Sequence, residues 1–143
     1  MKTAIGAMAG TLAGTFLVTL TIVAAAQPSR PTPTVTGHIQ GYTCMMLNLT
    51  NEQMRDFDNL PPVMEQPSPT AQRIGVASAN MIVAAPRREA NGYLQVLHLD
   101  GRPGWVEARM LKPWVNASQP TMRCIPAMMS DNKPGFTFQR PNG

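Results

Sequence analysis

Few side chains in this sequence could do chemistry, and their spacing limits what that chemistry is. Cys44 and Cys124 are the only cysteines. No Cys-x-x-Cys-His and no Cys-x-x-Cys occurs, so covalent c-type haem and a redox dithiol are both excluded. Two lone, distant cysteines are expected to form one structural disulfide, and closing so long a loop would stabilise the chain by roughly 4 kcal/mol. His38 and His98 are the only histidines, and no serine, cysteine or aspartate pattern builds a triad around either. Asp56 and Asp58 form a close carboxylate pair at the end of a short helical segment, where solvation or capping is the ordinary role. A glycosidase needs two carboxylates across a cleft. Methionine is abundant, at 11. Met122, Met128 and Met129 cluster near Cys124, and Met45-Met46 adjoins Cys44. Thioethers suit soft copper, but this spacing matches no metal-binding repeat, and an adaptable apolar surface explains it better. The expectation is a chain without cofactor, metal or catalytic constellation.

The elements that must position these residues begin with a segment of different character. Between Lys2 and Arg30 there is no charge, and residues 3–26 are apolar or small. The stretch ends in Val23-Ala24-Ala25-Ala26 before Gln27-Pro28. A positive start, an apolar middle and an Ala-x-Ala end read as a secretory signal peptide over residues 1–26. The rival reading is a retained membrane anchor, with Gly6, Gly10 and Gly14 giving a helix a smooth packing face. Either reading exports the remainder to the periplasm or the outer face of the membrane, where a disulfide persists. The net charge of +4 is scattered, with Arg87-Arg88 as its densest cluster. That is too weak and too scattered to argue for nucleic acid, and no nucleic-acid partner is expected, because polyanion affinity needs clustered cations.

Residues 27–41 are rich in Pro and Thr and read as an extended tether. Thr50 followed by Gln53 is a capping-box pattern and predicts a short helix, ended by Asp58-Asn59 and Pro61-Pro62. Residues 61–69 hold four prolines and read as a loop. Strands are expected at residues 74–76, 80–84, 93–99 and 105–108, with Asn91-Gly92 and Asp100-Gly101 as tight turns. A single helical turn near Met110 leads into a short strand before Trp114. The pattern predicts a mostly β, small antiparallel barrel over residues 42–124. Residues 125–143, with Pro126, Pro134 and Pro141, are expected to be an irregular tail pinned by Cys124.

The order Pro67-Ser68-Pro69-Thr70-Ala71, Arg73-Ile74-Gly75, Met81-Ile82-Val83, Asn91-Gly92-Tyr93-Leu94-Gln95-Val96, Asp100-Gly101-Arg102-Pro103-Gly104-Trp105-Val106 and Leu111 resembles the bacterial Src-homology-3-like domain. The resemblance covers residues 63–115. It departs from the family at Ala77-Ser78-Ala79, where a glycine is usual before the second strand. It implies a small barrel and says less about a ligand. In size, export and missing cofactor motifs the chain is also similar in outline to the small accessory subunit of membrane-bound quinoprotein alcohol dehydrogenases.

Two functions compete. One is an exported non-catalytic accessory subunit that docks on a larger periplasmic or membrane-bound complex. Its candidate contacts are Trp114, Trp105, Tyr93, Met128 and Met129, since interfaces favour aromatic and Met side chains. The other is a cell-wall module that binds peptidoglycan through the aromatics with Arg87 and Arg88. Asn48-Leu49-Thr50 and Asn116-Ala117-Ser118 match the glycosylation pattern, as many chance tripeptides do.

Overall fold

The computed structural model describes residues 28–141, and every regular element lies between residues 35 and 139. The signal-peptide or anchor expectation for residues 1–26 therefore lies outside the described residues. Among the described residues no helix is long and apolar enough to cross a membrane.

The chain is mostly β. It runs β1 (Val35–His38), β2 (Tyr42–Leu47), α1 (Asn51–Arg55), β3 (Pro62–Met64), β4 (Arg73–Val76), β5 (Asn80–Ala84), β6 (Glu89–Ala90) and β7 (Tyr93–Leu97). It continues with β8 (Pro103–Glu107), β9 (Leu111–Pro113), β10 (Arg123–Met129) and β11 (Pro134–Gln139). All pairings are antiparallel. The larger sheet has the order β4-β3-β8-β7-β5-β2-β9, with β6 beside β7. Its end strands β4 and β9 do not pair with each other, so the ladder stays open. The expected closed barrel is corrected to an open antiparallel sheet folded over its core.

Local chemistry explains the elements. Thr50 Oγ1 accepts from the Gln53 amide (3.2 Å) and Gln53 Oε1 accepts from the Thr50 amide (2.9 Å), the reciprocal cap expected of α1. Asn91 and Gly92 both have positive φ (51° and 78°), as a two-residue hairpin turn requires. Strand alternation sends Met45, Leu47, Met81, Val83, Leu94, Val96 and Val106 to one buried cluster, where Val63 joins them. Ile82, between Met81 and Val83, points to the opposite face and is also fully buried. The second layer over that face is a three-stranded sheet, β1-β10-β11.

The strands correct three expectations, two of them in that second sheet. Residues 35–38 of the tether form β1 against β10, with Thr36 Oγ1 donating to the Met128 carbonyl (3.0 Å). Residues 125–143 are no irregular tail, because β10 and β11 form a hairpin from Arg123↔Gln139 to Met128↔Pro134. Proline concealed it. Pro126 needs no amide partner where it sits, and its carbonyl accepts from Ile39 (2.9 Å). The hairpin turn also lacks glycine: Asn132 takes the positive φ (61°) instead. The third correction is β3, which lies within the expected proline loop; Pro62 begins the strand, where a missing amide is tolerated.

Cys44 and Cys124 are bonded, with Cα atoms 5.9 Å apart and 80 positions between them in sequence. The bond ties β2 of the large sheet to β10 of the small one.

Candidate functional site

β9 ends at Pro113, and Trp114 follows at the border of the two sheets. Its indole Nε1 donates to Asn80 Oδ1 at the start of β5 (3.0 Å). One face of its ring stacks on Phe138 of β11, with centroids 5.6 Å apart and planes inclined by 28°. The loop beyond is folded on itself. Asn116 Oδ1 accepts from the Ser118 and Gln119 amides (3.0 and 2.9 Å), and Asn116 Nδ2 reaches Met122 Sδ (3.8 Å). The result is a groove of about 480 Å³ whose apolar walls are Met46, Trp114, Val115, Met122 and Phe138. No charged side chain lines it. Val115 and Phe138 are 62% and 47% exposed, unusual for large apolar side chains on one face.

The cross-strand register gives the groove its floor. Met46 is opposite Asn80 on one side and Lys112 on the other, so these three side chains rise from the same face of the large sheet. Cys44 lies two residues earlier on that face, and Phe138 is opposite Cys124. The disulfide thus brings the aromatic of β11 to the aromatic after β9.

The five expected contact residues do not converge. Trp114 lies in the groove. Trp105 is half-buried on β8, opposite Gln95 and Met64. Tyr93 is only 8% exposed and borders a different cleft of about 560 Å³, beside Pro69, Asn91 and Arg109. Met128 and Met129 lie toward the hairpin turn, opposite Gly37 and Val35 of β1, and Met129 covers Gly135. Of the methionines near the cysteines, Met46 and Met122 meet at the groove, whereas Met45 enters the core. Phe138 was not legible as a site residue, because it lies in the stretch that reads as irregular. Its signal is Phe136-Thr137-Phe138, an alternation that the flanking prolines obscure.

The other polar constellations are ion pairs and hydrogen bonds around turns and strand ends. Asp100 Oδ1 lies 2.9 Å from His98 Nδ1, and Asp100 Oδ2 accepts from Arg102 Nε (2.7 Å). The Arg102 guanidinium, helped by the Arg102 amide and His98, holds the Asp100 carboxyl well below the usual carboxylate range. Arg102 Nη2 also donates to the Ile74 carbonyl (2.9 Å), which fastens the β7–β8 turn to β4. Arg109 pairs with Glu107 at the Tyr93 cleft, which raises the basicity of its guanidinium. A third hollow of about 330 Å³ is lined by Tyr42, Pro86, Arg88 and Gln95, with Arg88 Nη1 donating to Gln95 Oε1 (3.3 Å). Among the described residues no three His, Cys, Asp or Glu side chains converge as metal ligands would, and no cysteine is free.

The chain matches no protein-family model, no curated protein and no solved structure. Its function has to be argued from the site.

Proposed function

We propose that this chain is an exported, non-catalytic docking subunit that holds a partner protein at the Trp114–Phe138 groove. The observation that carries the reading is the pair of stacked aromatics with Val115, Met46 and Met122 around one apolar hollow left open to solvent. Aromatic and Met side chains supply contact area, and their enrichment with few charges is typical of interface centres. The Asn80 bond fixes the indole before a partner arrives, so little side-chain entropy remains to be lost on binding. The order of sequence motifs across residues 63–115 supports a Src-homology-3-like ancestry for the large sheet. In this reading the larger assembly supplies any catalysis, and a membrane-bound quinoprotein dehydrogenase is the kind of complex that would use such a subunit.

The test is a photo-crosslinking amino acid at Val115 in the native host, with one at exposed Asp58 as control. A discrete protein adduct from position 115 alone is expected, and Trp114→Ala should weaken that complex by at least about 2 kcal/mol. Adducts only with peptidoglycan would replace docking by cell-wall binding.

A further inference from the structure

The formal charge of the chain is unevenly placed. Residues 1–107 carry seven basic and seven acidic side chains, whereas residues 108–143 carry five basic ones and only Asp131 as an acid. The whole net charge of +4 therefore belongs to the segment that supplies β9, the groove loop, β10 and β11. Three of its five cations lie near the groove, whereas Arg109 pairs with Glu107 at the Tyr93 cleft and Lys133 is in the β10–β11 turn beside Asp131. Lys112 shares a sheet face with Met46 and Asn80. Arg123 follows Met122, and Arg140 comes two residues after Phe138; both are exposed. Among the described residues, the ion pairs are those of Asp100 with His98 and Arg102 and of Glu107 with Arg109, so these three cations have no carboxylate partner there. Asp131 is in the β10–β11 turn, at the opposite end of the hairpin from Cys124 and Phe138. At about 3.3 Å per residue, that is a separation of roughly 20 Å, beyond one Debye length at physiological salt. No residue next to the lining side chains, in sequence or in strand register, carries a carboxylate.

We infer that the occupant of the groove is an acidic segment of a partner protein, with an apolar anchor flanked by Asp or Glu. The inference rests on the docking reading above and names the chemistry of what docks. An apolar side chain of the segment would fill the hollow between Trp114 and Met122. The flanking carboxylates would meet Lys112, Arg123 and Arg140 at its rim, where such pairs set orientation and association rate more than affinity.

The probes are three synthetic peptides with one Leu-Phe centre and flanks of Glu, Gln or Lys, titrated into the full chain while the Trp114 indole N–H resonance is followed. Trp114→Phe assigns that resonance. The Glu peptide should bind most tightly, on the order of tenfold over the Lys peptide at low salt, and should lose that advantage in high salt. The double variant Lys112→Glu, Arg123→Glu should reverse the order, and Val115→Glu, at an exposed position, should abolish binding without unfolding the chain. Equal binding of all three peptides would overturn the acidic preference and leave the docking reading standing. So would silence from every peptide while the Val115 crosslink persists. Loss of the crosslink is the separate failure that removes the docking reading itself. A response to anionic phosphatidylglycerol vesicles, with none to the Glu peptide, would assign the surface to membrane and overturn the inference.

Discussion

Trp114 is held at two ends: its polar tip by Asn80 and its ring by Phe138. The two restraints separate in substitutions. Trp114→Phe keeps a ring for the stack and loses the indole donor, so stability should fall by about 1 kcal/mol, read from the urea midpoint. Partner affinity should fall further, because the anchor shortens as well. Asp100 gives a second residue-scale prediction, through pH. Its carboxyl is depressed by Arg102, so the ionised form favours the fold. That contribution is complete above the ordinary carboxylate range and is lost as pH falls from about 4 toward the lower folded value. Asp100→Asn should therefore be less stable than the parent at pH 7, with the gap closing on acidification below about pH 4. The side chain is 35% exposed, so the gap should be small and should shrink in salt. A gap constant from pH 7 to pH 2 would assign the loss to something other than charge.

At the level of elements, β8 carries a close approach to the buried side chains of β3. A Cβ added at Gly104 would sit 2.6 Å from Val63 Cγ1 and 3.1 Å from the Met64 carbonyl. Val63 is fully buried and β-branched, so it has no rotamer into which to retreat. Gly104→Ala should cost about 1–3 kcal/mol, whereas the same change at Gly37, which has nothing within 4 Å, should be mild by comparison. Thermal unfolding of the two variants side by side checks this, and equal midpoints would remove the packing argument. The β10–β11 hairpin depends on a different kind of support. Its strands pair with each other from Arg123 to Met128 and β10 pairs with β1 over Ala127–Met129, but their attachment to the large sheet includes the bond between Cys44 and Cys124.

For the molecule as a whole, the two sheets form a layered unit whose groove exists only where both contribute. Cys44→Ser with Cys124→Ser should destabilise the chain by roughly 2–5 kcal/mol. Amide hydrogen exchange should locate the loss. In the double variant β1, β10 and β11 should lose protection first, while β5, β7 and β8 around Val83, Val96 and Val106 keep more of theirs. Partner binding should weaken in parallel, because Phe138 reaches Trp114 through the small sheet. Uniform loss of protection across both sheets would mean that they unfold as one unit. The asymmetry of charge belongs to this scale too, since a net +4 carried by the last quarter of the chain acts as a local field and not as an average.

Local chemistry made much of the large sheet readable from sequence. The Thr50–Gln53 cap, the Asn91-Gly92 turn and the apolar alternation around Val83 and Val96 each depend on neighbours a few positions away, and each appears where the residues place it. The cysteine pair was readable by counting. The fate of residues 35–38 and 125–139 was not, because Pro126 and Pro134 look like breakers until a partner strand is known whose hydrogen bonds they do not interrupt. Open sheet versus closed barrel was likewise decided by tertiary structure, since whether β4 meets β9 depends on twist accumulated over the intervening strands. The groove followed the same logic. Trp114 could be singled out as an exposed aromatic beside a proline, but its partners Asn80, Met46, Met122 and Phe138 come from four separate stretches. Only the register of β2 with β5 and β9, and of β10 with β11, brings those stretches together. Pairing between distant strands is set by burial on both faces, which is a property of the folded whole.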